Sequence, residues 1–343
     1  MEKDIIIYPF FKYIRRESYL TQIIMKVSVY CLVYNHEKYI RSALNSFISQ
    51  KTDFDYEVFV HDDASTDGSK KIIEEFVQKY PNIIKPIYQE ENQYSKGVGI
   101  FSTFIFPKMS GDYVACCEGD DCWTDSLKLQ RQVDFLDAHP DYVACVHNTI
   151  QKNMRTNKES VMYHHLKDDD ISFCEAVQNG GCSYHTSSLM YRIEYGENRP
   201  DFFLKAKGFG DYPLAIFLTL SGKVRFLNYN MSLYRAGTEN SWTKRNMQNI
   251  HNFAVSFQCV ADMLEEVNKY TEYKYDEMIQ KLILKNKYLN LYFDEKYNEL
   301  RQEPYRQLFY NYSLVYRIKV YFKQYFNGAY HLYRKIIYKK GSK

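Results

Sequence analysis

No run of eighteen apolar residues occurs in this chain, so no segment reads as a membrane-spanning helix. The apolar patch "IIIYPFF" at 5–11 stops at Lys12, and Arg15 and Arg16 follow. It has no small-residue cleavage site behind it and does not read as a secretory signal. Glycine-rich phosphate cradles are also missing. Neither GxGxxG nor a Walker sequence follows the first strand-like run, which excludes a nucleotide held on a glycine-rich helix N-terminus. The eight cysteines form no CxxC and no regular spacing. They read as small buried hydrophobes in a reducing compartment. Acid is scarce at one end: residues 301–343 hold ten Lys and Arg against Glu303 alone. That end carries +9 while the whole chain carries +3, so the first 300 residues carry −6. An acidic body suits a nucleic-acid channel poorly.

What is present alternates. "KVSVYCLVYN" (26–35), "YEVFVHDD" (56–63), "IIKPIYQ" (83–89), "GDYVACCEGDD" (111–121) and "YVACVHN" (142–148) are apolar, β-rich runs. Between them, Ile40, Ala43, Leu44 and Phe47, then Ile72, Ile73, Phe76 and Val77, then Leu129, Val133 and Leu136 recur at helical spacing. Strands alternating with helices predict an α/β fold with a mostly parallel sheet covered on both faces. Residues 151–170 read as a loop and 183–192 as a strand. Residues 210–222 read as a helix capped by Asp211, and 223–235 as strands. Helices follow near 246–268, 273–293 and 314–338. We expect an N-terminal extension at 1–24, an α/β body at 25–240 and a helical, basic and aromatic region at 241–343.

Ligands of such sheets bind beyond the carboxyl ends of the strands. The polar clusters fall there: Asn35-His36-Glu37, Asp62-Asp63 and Glu118-Gly119-Asp120-Asp121. Hard carboxylate oxygens at a strand end suit Mg²⁺ or Mn²⁺ held against a diphosphate. Asp62 and Asp63 are placed to accept from a base N–H or ribose hydroxyls. Each cluster also has a plain reading: Asp62-Asp63 as turn chemistry, Asp120-Asp121 and Asp211 as helix caps.

"VSVYCLVYNHEKYIRSALNSFISQ", "VHDDASTDGS" and "YVACCEGDDCWTDSLKLQRQVDFL" together resemble the family-two glycosyltransferases of GT-A fold. The likeness covers roughly residues 25–240. It implies inverting transfer of a sugar from a nucleotide-diphosphate donor, a UDP-sugar by default, with Mg²⁺ or Mn²⁺. It implies a glycan or lipid-linked acceptor in bacterial surface polysaccharide synthesis. Asp120 and Asp121 would serve metal and diphosphate. Tyr34, Asn35, Glu37, Asp62, Asp63, Asp120, Arg235 and Trp242 would contact the donor. His185, Thr186 and Ser187 would contact the acceptor, and Asp211 would be the general base. The family's first motif acid is Glu118 here. "MSLYRAGTENSW" (231–242) lacks the histidine of the family's closing segment.

Gly-Asp-Asp also occurs in template-directed polymerases, but there it turns into a returning strand, and here a helical pattern follows. A non-catalytic sugar-nucleotide-binding paralogue or a scaffold of a polysaccharide assembly is the other reading. The expected location is cytoplasmic and peripheral on the inner membrane through the basic tail, with no nucleic-acid partner.

Overall fold

In the computed structural model, the described residues are 25–163, 168–206, 209–238 and 250–326. The expected extension at 1–24 lies outside them, as does Trp242.

The strands are β1 (Met25–Val33), β2 (Asp55–Asp62), β3 (Ile84–Tyr88), β4 (Tyr113–Cys116), β5 (Cys122–Trp123), β6 (Tyr142–Asn153), β7 (Glu159–Val161), β8 (Asp169–Asp170), β9 (Met190–Arg192) and β10 (Lys223–Ala236). The helices are α1 (Ile40–Ile48), α2 (Ser69–Lys79), α3 (Lys128–Ala138), α4 (Phe173–Gln178), α5 (Phe202–Lys205), α6 (Asp211–Ser221), α7 (Ile250–Tyr270), α8 (Asp276–Phe293), α9 (Arg306–Asn311) and α10 (Leu314–Tyr325).

The sheet runs β3-β2-β1-β4-β9-β6-β10-β5, with β7 on β6 and β8 on β10. From β3 to β4 it is parallel. β9 then enters antiparallel to both β4 and β6, and β10 returns parallel to β6. The sheet is therefore mixed beyond β4. The alternation of β1 divides the core. Val27, Val29, Cys31 and Val33 pack with α1, α2 and α3 on one face. Tyr30 faces the other side, with Val114, Val146, Leu214 and Leu218. The outer side of α6 buries Tyr212, Ile216 and Phe217 against Leu264 and Val267 of α7 and Ile279 of α8. A separate cluster joins Tyr288 of α8 to Phe309 and Val320. All eight cysteines are free thiols.

Register explains why three polar clusters share one rim. Val33 pairs with Asp62, and Tyr30 with Cys116. The ladder continues past β4, where the Gly119 N–H donates to Leu32 O (2.9 Å). A Cβ at Gly119 would lie 3.2 Å from that same carbonyl and 2.8 Å from His36 Nδ1. A side chain there would prise the acidic turn off β1.

Three expectations are corrected. Residues 151–170 are not one loop: β6 runs on to Asn153 and pairs with β7. Residues 183–192 are not one strand. Thr186–Ser188 form a tight 3₁₀ turn because serine and histidine side chains satisfy the local backbone, and only Met190–Arg192 extend. Asp211 does not cap its helix. Gly210 holds that position and Asp211 is the first helical residue.

Candidate active site

The acidic turn after β4 is built inward. The Asp121 N–H donates to Glu118 O (3.0 Å). Asp120 is 8% exposed and Asp121 2%, whereas Glu118 is exposed. β10 reaches this turn through irregular pairing between Leu227 and Ser232. It then brings Arg235 alongside. The Arg235 N–H donates to Asp121 Oδ1 (3.0 Å), its Nη1 to Asp120 O (2.8 Å) and its Nη2 to Ser42 Oγ of α1 (3.0 Å). The guanidinium also lies 5.5 Å from the Tyr39 ring centroid. Thr238 Oγ1 donates to Asp120 Oδ2 (3.0 Å). Burial, then the charges of Asp120 and Glu118, raise the Asp121 carboxyl well above the usual range, opposed by Arg235.

The donor set for a metal is hard oxygen only. Asp121 spends Oδ1 on Arg235, and its Oδ2 faces His185 Nε2 at 3.7 Å. Asp120 has no hydrogen bond to Oδ1 among the described residues. That composition fits a hard divalent ion taken by one or two carboxylates and completed by water and phosphate oxygens. Asp120 would be the direct ligand, with Asp121 buried behind it and held by Arg235.

The β1–α1 loop is tied to the "STDGS" turn. Asn35 adopts left-handed backbone (φ 58°). Its N–H donates to Ser65 Oγ (2.9 Å), and its Oδ1 accepts from the Thr66 N–H (2.7 Å). The Glu37 N–H donates to Asp67 Oδ2 (3.0 Å). Tyr34 is half-buried and Glu37 exposed on this loop. The Ser65 N–H donates to Asp62 Oδ1 (3.2 Å). Asp63 spends both oxygens on the segment after β3: Oδ1 accepts from the Gln93 N–H (2.8 Å) and Oδ2 from the Tyr94 N–H (3.0 Å). Asp63 is thus a wall support, a role the sequence reading missed.

Across from the acidic turn lies the 183–188 segment. His185 Nδ1 accepts from the Ser187 N–H (3.3 Å) and meets Ser187 Oγ at 2.7 Å, and Nε2 is the ring atom facing Asp121. The ring lies 4.5 Å from that of Tyr234. Burial lowers the His185 imidazole to about 4, so it is neutral near pH 7. Ser187 is fully buried, and its carbonyl accepts from Trp123 Nε1 (2.9 Å). Ser187 is therefore a structural link and not an acceptor contact, because no part of it reaches solvent. Thr186 is half-buried at the same turn.

Asp211 is exposed at the head of α6. Its Oδ1 accepts from the Tyr212 N–H (2.9 Å). Water reaches it, yet protein surrounds it on most sides. That partial desolvation raises its carboxyl, against the helix N–H groups that lower it. Gly181, at φ +83°, packs under this helix start, with Tyr212 Cα 3.1 Å from where a Cβ would sit. Burial first, and the Asp211 charge second, raise the thiol of Cys182 and the phenol of Tyr184. Burial, then Asp121, Asp120, Glu118 and Cys182, raise Tyr234 to about 12.

Sequence comparison agrees with this geometry. The glycosyl transferase family 2 model matches residues 28–194. Residues 28–194 thus form a glycosyl transferase family 2 domain. An uncharacterized glycosyltransferase of Nostoc sp. is 32% identical over 215 residues, covering 62% of this chain and 65% of the relative. An uncharacterized protein of Mycobacterium tuberculosis is 43% identical over 123 residues, 35% of this chain and 34% of the relative. The chain thus spans about a third of the length of that relative. Among solved structures, residues 1–349 of S. aureus TarS in complex with UDP-GlcNAc superpose with a TM-score of 0.53 at 18% identity, covering 83% of this chain and 78% of that one. The chain therefore has the GT-A fold.

Proposed function

We propose that the chain is an inverting glycosyltransferase. It moves a sugar from a nucleotide-diphosphate donor, by default a UDP-sugar, to a hydroxyl of a glycan or lipid-linked acceptor in surface polysaccharide synthesis. The observation that carries this reading is the buried acidic turn at the carboxyl rim of the sheet, where Asp120 is bracketed by Arg235 and Thr238. Asp211, the first residue of α6, is the proposed base.

The nucleoside lies over the β1 and β2 ends. Asp62, Asn35 and Tyr34 line it there, and Asp63 holds the 92–94 wall in place. The diphosphate lies toward Asp120. Mg²⁺ or Mn²⁺ bound there would neutralise the charge that builds on the departing diphosphate. Arg235 fixes the turn that presents Asp120 and adds positive charge behind it. Asp211 accepts the proton of the attacking hydroxyl as the new glycosidic bond forms. Partial burial raises its carboxyl, which makes it a better base than an ordinary aspartate. One in-line displacement inverts the anomeric carbon. The basic C-terminal region holds the enzyme on the inner membrane face, where a lipid-linked acceptor is found. No described helix is long and apolar enough to cross a membrane.

Calorimetry with UDP, GDP and dTDP, each with and without Mn²⁺, tests the donor half. One nucleotide should bind in a manner that EDTA weakens strongly. Equal affinity with and without Mn²⁺ removes the metal from the reading. Binding of none of them removes the donor.

A further inference from the structure

The last described helix is inside out. On α10, Leu314, Val315, Ile318, Phe322 and Tyr325, with Phe326 just beyond, are exposed, at 63% for Leu314, 56% for Ile318 and 68% for Tyr325. At 100° per residue these six fall within an arc of about 120°. The opposite face carries the polar contacts. Lys323 Nζ donates to Tyr292 OH (2.6 Å) and Gln324 Nε2 to Asn298 Oδ1 (2.7 Å), beside fully buried Val320. A helix of a water-soluble body puts its apolar stripe inward and its polar groups out. Here the order is reversed, so the outward stripe is too large to be a scatter of single exposed apolar residues.

Charge decides among the candidates to cover it. Lys319 is exposed at the edge of the stripe. Arg317 lies 5.6 Å from the Tyr310 ring, on the flank. No Asp or Glu occurs anywhere after Glu303. A second copy of the same face would bring like charges together. An anionic bilayer offers the opposite charge and an apolar layer beneath it, and tyrosine and phenylalanine rings suit that boundary.

We infer that the outward face of α10 is a membrane-docking surface that seats in the headgroup region of an anionic bilayer. The purpose of the contact rests on the proposed lipid-linked acceptor. The contact itself is measured without turnover, so it stands or falls separately from the transferase reading.

The test is flotation of the full chain with phosphatidylcholine vesicles, with and without phosphatidylglycerol. Wild type should float with the anionic vesicles and be released in part by salt. The Ile318→Asp/Phe322→Asp double variant should bind them at least tenfold more weakly. Both side chains are exposed, so its melting curve and its donor hydrolysis should match wild type. Lys319→Glu should weaken binding less and flatten its salt dependence. Equal binding by the double variant overturns the inference, as does failure of wild type to bind anionic vesicles. Sedimentation showing a wild-type dimer that the double variant dissociates, with no vesicle binding, assigns the face to a second copy instead.

Discussion

His185 Nε2 lies 3.7 Å from Asp121 Oδ2, across the boundary between the 183–188 turn and the acidic turn. Ser187 holds the ring through Nδ1, and the Trp123 indole N–H holds the Ser187 carbonyl. The two turns are thus linked through one histidine. An outer-sphere partner of this kind sets the orientation of a carboxylate, and its loss costs roughly 10–100-fold.

His185→Ala should therefore lower kcat by about tenfold or more, with the donor KM near wild type. His185→Gln can still donate from its amide and should recover part of that loss. A merely structural histidine would lower stability and leave the kcat of the folded fraction unchanged. Steady-state kinetics beside a thermal melt separate the two.

Asp211→Asn keeps the shape of the helix start and removes its basicity. Turnover should fall by roughly a hundredfold or more, while calorimetric donor affinity stays near wild type. Near-normal turnover with an acceptor would place the base elsewhere. The anomeric configuration of the product, read by NMR, should be inverted relative to the donor.

Lys128 is fully buried over the Trp123 ring, 4.1 Å from its centroid, and its Nζ has no hydrogen-bond partner. Burial lowers its ammonium to about 7. The unfolded chain holds that proton up to the ordinary lysine range, so it binds more protons than the fold between about pH 7 and 10. Stability from this group therefore rises with pH across that window. Lys128→Met should stabilise the fold at pH 7 by roughly 1–3 kcal/mol, and the gain should shrink toward pH 10. Denaturant melts at both pH values check it. A destabilised methionine variant would show that the Trp123 contact outweighs the burial cost.

His147 works in the same sense lower on the scale. It is fully buried with Nε2 unpaired, and burial, then Lys128, lower its imidazole well below the usual value. Below about pH 6.5 only the unfolded chain takes up that proton, so acidification from neutrality destabilises the fold. His147→Phe should flatten the stability profile between pH 6.5 and 5. An unchanged slope would assign the acid loss to other groups.

The parallel half of the fold was legible because each strand is a continuous apolar run and each helix keeps an apolar stripe. Val27, Val29 and Cys31 pack against Ile40, Leu44 and Ile73, the pattern the spacing predicts. The rim was legible for the same reason, since strand ends coincide with Asp62 and Asp120. The mixed half was not. β5 is two residues long and β9 three, too short for periodicity to register. Thr186–Ser188 turn because side chains satisfy the backbone there, and the apolar flanks Tyr184 and Leu189 look like strand on either side. Within the site, carboxylates were found by their clustering. Ser42 and Thr238 were not, because each contributes one hydroxyl from a distant element. The role of Asp63 was hidden too, because its partners are backbone N–H groups of a loop with no sequence signature.

Asp120 is the residue through which we propose that the donor diphosphate is held. Release of nucleoside diphosphate from a panel of UDP-, GDP- and dTDP-sugars, with Mn²⁺ and again with EDTA, tests it in wild type and in Asp120→Asn. Release is expected from one donor class in Mn²⁺, little in EDTA, and at least roughly a hundredfold less from the folded Asp120→Asn variant, on the order of the loss of a key electrostatic group. Wild-type rates from Asp120→Asn, or release indifferent to EDTA, would contradict it.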